Sequence, residues 1–310
     1  MENLVVGVDL GASKIALGLV NDSDEVVTAT RFPTHAERGP EQAAERIVAA
    51  VHDFERMTGR RVDAVGVCSP GPVDHFGGII VAPPNMPTWR SVPFRAMLQD
   101  ALQRPVTLEH DAKASALGEF HAGAGKTFGA RDLAYIIIGT GVGAAMIIDG
   151  QLFRGRRDEA GEVGHVTIDR NGAPGSSGVL GCLESFTSGP SLERRYATLS
   201  GTSGVTGEQI VQRADAGDPH AAAVLVDAGD ALAAGVGILA MVMDIDLFVI
   251  GGSVARAGER LLGPARAALP KYCYKHVAPR LTLVETALHE NGAILGAAWQ
   301  ARDLFSRAQS

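Results

Sequence analysis

The chain writes one short design twice, and that repetition narrows its fold more than any other feature. Val5-Val6-Gly7-Val8-Asp9-Leu10 and Ile15-Ala16-Leu17-Gly18-Leu19-Val20 are apolar strands on either side of a turn, Gly11-Ala12-Ser13-Lys14. Leu133 to Ile138 and Ala144 to Ile148 form a second such pair around Gly139-Thr140-Gly141-Val142-Gly143. One recurrence is an internal echo and not an array, so the pattern implies two related halves. The first turn also has the chemistry of a phosphate clamp. Gly11 lets the backbone pass close to an anion, and turn N–H groups can face phosphate oxygens. Lys14 or the Ser13 hydroxyl adds a donor, and Asp9 is an acid placed where a hydrated Mg²⁺ would bridge phosphates. The same residues also read as a plain glycine hairpin, and taken locally both readings stand.

A length of 310 residues exceeds the usual single core, which favours two domains. Hydrophobic residues make up 46% and aromatics only 5%, with 38 glycines, a composition suited to tightly packed α/β layers. A formal net charge of −7 with no basic stripe argues against nucleic acid and anionic membranes as partners and leaves small anionic substrates open through local clusters. Cys68, Cys182 and Cys273 are odd in number and widely spaced, which argues against a disulfide framework and for a reducing compartment. No basic-plus-apolar segment precedes the first strand, and no run is expected to reach bilayer-spanning length. A soluble, cytoplasmic protein is the expectation.

Between the hairpins, Ala43, Ala44, Ile47, Val48, Val51 and Phe54 recur at helical spacing over Pro40 to Gly59. Asp63 to Cys68 reads as a buried strand running into Ser69-Pro70-Gly71-Pro72-Val73-Asp74. Val106 to Glu109 is a strand leading into a helix from Asp111 to Ala122. From Gly150 to Ser191 the chain is Gly-rich and polar, a kind of irregular segment that more often carries a site than links domains. Helical signals return over Gly207 to Ala216 and Pro219 to Met243. Asp246 to Ile250 is a short strand ending in Gly251-Gly252-Ser253, Leu281 to Val284 is another, and Asn291 to Phe305 reads as a closing helix. The two hairpins place a domain boundary near residue 115.

Three glycine turns after strands, with acidic residues between them, resemble the actin-like ATPase superfold and, within it, the ROK family of sugar kinases and repressors, over nearly the whole chain. Asp9-Leu10-Gly11-Ala12-Ser13-Lys14 is similar to the first phosphate motif of that family, with Gly-Ala-Ser where Gly-Gly-Thr is usual. Ile138-Gly139-Thr140-Gly141-Val142-Gly143 is similar to the second phosphate motif, Val249-Ile250-Gly251-Gly252-Ser253 to the adenosine motif, and Asn291-Gly292-Ala293-Ile294-Leu295-Gly296-Ala297-Ala298 to the connecting helix. The resemblance implies an α/β, two-domain actin-like ATPase (ribonuclease H-like) fold with a cleft between domains. The small domain would span residues 1–115, with a helix over about 297–310 packing back on it, and the large domain 116–296. ATP and Mg²⁺ would be bound through Asp9, Gly11, Ser13, Lys14, Gly139, Thr140, Gly141, Gly143, Gly251, Gly252 and Ser253, and a homodimer is implied.

Asp111, at a strand-to-helix junction, reads locally as an N-cap. The resemblance makes it the general base that accepts the proton of the attacking sugar hydroxyl. The helix dipole is expected to pull its pKa down, leaving catalysis to depend on geometry more than basicity. Sugar contacts are implied for Asn85, His110, Asp111, Glu162, His165 and Glu184, residue types that pair with adjacent hydroxyls and reject ligands lacking one.

Two departures stand out. Members commonly hold a structural zinc through the His of Gly-x-x-Gly-His and Cys-x-Cys-Gly-x-x-Gly-Cys; here His165 and Cys182 occupy matching places, but Gly175 and Ser177 occupy the others. Two ligands do not make a tetrahedral structural site, so no metal is expected there, and His165 needs another group to orient it. Where Asn-Asp-x-Asn is usual, the chain has His110-Asp111-Ala112-Lys113, which bears on the identity of the sugar. The implied activity is ATP-dependent phosphorylation of the 6-hydroxyl of glucose or a related hexose. An amino or modified hexose, such as kanosamine or N-acetylmannosamine, is the alternative. A sugar-responsive repressor would carry a helix-turn-helix before the Asp-Gly turn, which begins here at residue 9. A sugar-binding pseudoenzyme is disfavoured by the presence of Asp9, Asp111 and the glycines.

Overall fold

The computed structural model describes residues 3–309, and the chain divides into two units. One runs to Thr127 and takes in the chain from Glu290 onward; the other is Phe128–His289. In the first, β1 (Val5–Leu10), β2 (Lys14–Val20) and β3 (Val26–Pro33) form an antiparallel meander. Helix α1 (Pro40–Thr58) follows, with Pro at its start and Gly59 closing it at φ 66°. Then come β4 (Ala64–Ser69), a two-strand ribbon of β5 (Val73–Asp74) and β6 (Ile79–Ile80), α2 (Phe94–Leu102), β7 (Val106–His110) and α3 (Asp111–Ala122). The sheet order is β3-β2-β1-β4-β7, with β4 parallel to both β1 and β7. The interior strands β1 and β4 are nearly all buried, so they read as continuous apolar runs. The edge strand β3 alternates half-buried and exposed residues.

The closing helix, Asn291–Gln309, packs on β1, β4 and α3. Its backbone touches the sheet directly: a Cβ on Gly7 would lie 1.9 Å from the Ile294 carbonyl oxygen, and one on Gly66 1.8 Å from that of Ala297. Neither position tolerates a side chain unless the helix moves. Because α3 and the closing helix pack together, residues 115 and 297 both fall inside helices of this unit. The first unit therefore extends past the boundary near 115 that the hairpins suggest.

After the short helix α4 (Ala124–Phe128), the second unit repeats the plan. Strands β8 (Leu133–Ile138), β9 (Val142–Ile148) and β10 (Gln151–Phe153) are antiparallel. The segment that follows ends in the one-turn helix α5 (Glu184–Thr187), then α6 (Gly189–Ser200), α7 (Gly207–Asp215), α8 (Pro219–Met243), β11 (Leu247–Gly251), α9 (Glu259–Tyr272) and β12 (Thr282–Glu285). The order β10-β9-β8-β11-β12, with β11 parallel to β8 and β12, matches the first sheet strand for strand. Helix α8 corrects the expectation that no run reaches spanning length, being long and apolar enough to cross a bilayer by length and composition. Here it is a core helix, with Val224, Leu232 and Val236 wholly buried.

Candidate active site

In the first unit, Asp9 is the last residue but one of β1, and the turn after the strand is tightly closed. The Gly11 N–H donates to the Lys14 carbonyl at 2.9 Å, and Thr34 staples the turn by donating its hydroxyl to the Gly11 carbonyl at 2.6 Å and its N–H to the Ser13 carbonyl at 2.9 Å. The Gly11 N–H is thus engaged within the turn. Lys14 Nζ lies 3.0 Å from Glu290 Oε2 in an exposed ion pair, a contact weak enough to yield to an incoming anion. Asp9, Lys14, Thr30, Arg31, Glu290 and Asn291 line a cavity of about 470 Å³ within this unit. Burial, and then the charge of Asp111, push the Asp9 pKa from 3.8 up to about 6, with Lys14 opposing. The Cys68 thiol, wholly buried, sits 3.8 Å from Asp9 Oδ1.

Asp111 begins α3, but the N-cap is His110, a correction to the local reading. The Ala112 N–H has two acceptors in reach, Asp111 Oδ1 at 2.6 Å and His110 Nδ1 at 3.2 Å, and the latter nitrogen lies 3.1 Å from Asp111 Oδ1. The expected downward pull on the Asp111 pKa is overturned: burial of the carboxylate raises it, against the lowering effects of His110 and the Ala112 N–H. Desolvation outweighs the dipole because the group is recessed by folding, which the local sequence does not encode. The His110 ring packs on Gly71, where a Cβ would fall 2.5 Å from its Cδ2. Beneath, the buried Glu109 accepts from the His110 N–H at 2.9 Å and from Gln300 Nε2 at 2.7 Å, holding the strand end in place. Asn85 is exposed on a turn anchored by the buried Met86 and Trp89, whose indole N–H donates to the Ala36 carbonyl at 3.0 Å.

In the second unit, the Gly139 N–H donates to the Gly141 carbonyl at 2.9 Å and its carbonyl accepts from Gly189 at 2.8 Å, tying the turn to the start of α6. Gly252, at φ 89°, is pressed against the β8 end, its Cβ position only 2.3 Å from the Ile138 carbonyl oxygen. This close approach brings Ser253 beside Gly139. Gly139, Thr140 and Ser253 share a cavity of about 510 Å³ with Glu193, Glu208 and Gln212, a size suited to a small-molecule site. Sequence reasoning missed these last three, which α6 and α7 supply and no local motif marks. Gly143 lies in β9, paired with Ile137, rather than on that cavity.

Glu162 and His165 flank a single turn pressed on β9, with Gly164 so close that a Cβ would sit 2.0 Å from the Val142 carbonyl oxygen. His165 Nε2 is 3.9 Å from Glu162 Oε2, and Ser177 Oγ is 3.1 Å from His165 Nδ1. Glu184 is buried and bonded through both oxygens: Oε2 accepts from the Val142 N–H at 3.0 Å and Oε1 from the Ser176 hydroxyl. It therefore braces the glycine turn, a role not anticipated from its expected contact with sugar. The residues present do not fit a structural zinc. The Ser177 hydroxyl is bonded to His165, a Cβ on Gly175 would lie 2.4 Å from Cys182 Sγ, and among the described residues no group of three His, Cys, Asp or Glu could hold a metal.

Two sheets of identical order, each opening on a hairpin with a glycine turn at its tip, define an actin-like ATPase fold. The chain belongs to the ROK family, whose model matches residues 5–304. Glucokinase of Thermotoga maritima is 31% identical over 307 residues, which cover 95% of this chain and 96% of the relative. A ROK hexokinase from Thermus thermophilus superposes with a TM-score of 0.84 at 33% identity, over 98% of this chain and 99% of its own. A ROK family glucokinase from Streptomyces griseus, solved with glucose and AMPPNP, gives 0.79 at 31% identity, over 97% and 100%. Proteins named as xylose repressors also occur among the relatives.

Proposed function

We propose that this ROK-family, ATP-dependent sugar kinase transfers the γ-phosphoryl group to the 6-hydroxyl of glucose or a closely related hexose, with Asp111 as general base. One observation carries the reading: at the start of α3 the half-buried Asp111 carboxylate has its Oδ1 2.6 Å from the Ala112 nitrogen and 3.1 Å from His110 Nδ1, in a setting where burial raises its pKa and its charge raises that of Asp9. A base with a raised pKa takes a hydroxyl proton more readily than an ordinary carboxylate, provided it is ionised at the working pH. Repulsion between Asp9 and Asp111 fits a divalent cation, since Mg²⁺ needs only one or two carboxylates beside phosphate oxygens and water. Mg²⁺ carried in with ATP would be held by Asp9 and would supply charge neutralisation of the phosphates. Lys14 would exchange Glu290 for a phosphate oxygen, and the Gly139–Gly141 turn with Ser253 would take the nucleotide in the second unit.

Asn85, His110, Glu162 and His165 are the proposed sugar contacts, with Glu184 acting through the turn it braces. His110 favours a second reading, an amino or otherwise modified hexose such as kanosamine or N-acetylmannosamine. An imidazole offers one donor and one acceptor when neutral, where an amide offers two donors and an acceptor, so the set of ring substituents it satisfies differs. Presence of both acids and all the glycine turns supports an enzyme over a repressor or a pseudoenzyme. We assign it to the cytoplasm, in keeping with its three free cysteines, and as a homodimer by resemblance to its family. An ADP-release screen across hexoses and amino hexoses tests the proposal. Turnover with glucose or a close relative, and a 6-phosphate product, is expected; no ADP release with any hexose would refute it.

A further inference from the structure

The segment between His165 and Glu184 is held by backbone hydrogen bonds and two adjacent hydroxyls. The Gly175 N–H donates to the Val179 carbonyl at 2.9 Å, Gly178 to Gly175 at 3.0 Å, and Gly181 to Ala173 at 2.9 Å, closing a small hairpin whose tip carries Ser176 and Ser177. The two serines reach in different directions: Ser176 bonds Glu184 Oε1, and Ser177 lies 3.1 Å from His165 Nδ1. Glu184 in turn accepts from the Val142 N–H of the glycine turn. One tip thereby connects the turn proposed to meet phosphate with the histidine proposed to meet sugar.

We propose that Ser176 and Ser177 are positioning residues that do with two hydroxyls what the segment cannot do with a metal, and that Ser177 fixes His165 in the tautomer with its proton on Nε2. The geometry gives the direction. Glu162 Oε2, 3.9 Å from Nε2, is beyond hydrogen-bond reach, but its negative charge favours a proton on that side, so Nδ1 is left with its lone pair facing Ser177. The Ser177 hydroxyl donates to that lone pair, the same electrons a metal would take. His165 then presents a donor at Nε2 to a sugar oxygen, and this part of the inference rests on the reading of His165 as a sugar contact.

Ser177→Ala, Ser177→Thr and Ser176→Ala in the full chain test the proposal, with kinetics for hexose and ATP and the ¹⁵N shifts of the His165 ring as readouts. The serines are exposed, so these variants should fold. Loss of one such hydrogen bond predicts a rise of about fivefold in hexose KM for Ser177→Ala, with ATP KM within about twofold and the His165 tautomers mixed. Ser177→Thr keeps the hydroxyl and should restore both. Ser176→Ala frees one oxygen of Glu184 and should instead raise ATP KM, by about the same factor. An unchanged His165 tautomer in Ser177→Ala overturns the proposal whatever the kinetics, as does stoichiometric zinc in dialysed protein. A changed tautomer with unchanged hexose KM upholds the positioning role and refutes the sugar contact.

Discussion

Replacing Asp9 by asparagine should stabilise the ligand-free protein while removing its activity, because the folded chain holds this carboxylate where its charge is unwelcome. The pKa rises from 3.8 to about 6, and each unit is worth about 1.36 kcal/mol, so ionised Asp9 costs the fold about 3 kcal/mol. The folded state keeps the proton after the unfolded chain has released it, so stability falls as pH rises from about 4 through about 6 and is then flat. Asparagine carries no charge to desolvate and no like charge toward Asp111. That shift is already net of the attraction to Lys14 and the bond from Cys68, so the gain is about 3 kcal/mol at about pH 8. At about 2–4 °C per kcal/mol for a protein of this size, the Tm difference should be several degrees at about pH 8 and should shrink toward about pH 4. Thermal unfolding across that range measures it, with ADP release confirming loss of turnover. A Tm difference that is negative, or the same at both ends of the range, would refute the electrostatic argument.

Gly141→Val should raise ATP KM about tenfold or more with little change for hexose, because even a Cβ there lies 3.0 Å from Glu184 Oε2 and a larger side chain would displace the brace of the glycine turn. Steady-state kinetics in both substrates decides this, and a change confined to hexose KM would contradict it. His110→Asn should shift the ratio of kcat/KM between glucose and the preferred sugar by roughly tenfold. It should also alter kcat, since Nδ1 lies 3.1 Å from Asp111 Oδ1; an unchanged ratio across a hexose panel would show that His110 does not read the sugar.

Both hairpins, the helices over Pro40–Thr58, Asp111–Ala122 and Pro219–Met243, and the glycine turns were legible because each depends on local spacing. Helix α9 was not, since Pro264 and Pro270 lie inside it and read as breakers. Strand β3 was hidden because Thr28 and Thr30 stand on its half-buried face while Val27 and Ala29 are exposed, so no apolar alternation marks it, and α2 was hidden by its short length after Pro93. Within the site, motif residues could be found but their partners could not. Thr34, Cys68, Glu290 and Ser176 reach Gly11, Asp9, Lys14 and Glu184 only through tertiary folding. The same limit reversed the Asp111 pKa: a helix start is visible in sequence, whereas the burial that outweighs its dipole is not.

Turnover of Asp111→Asn, measured beside its affinity for ATP, tests the central claim most directly. The amide keeps the shape at the start of α3 and cannot accept the hydroxyl proton as a carboxylate does. The account predicts kcat lower by at least about 10²-fold with nucleotide affinity and fold preserved. Near-normal turnover would contradict it, since proton transfer would then not pass through Asp111.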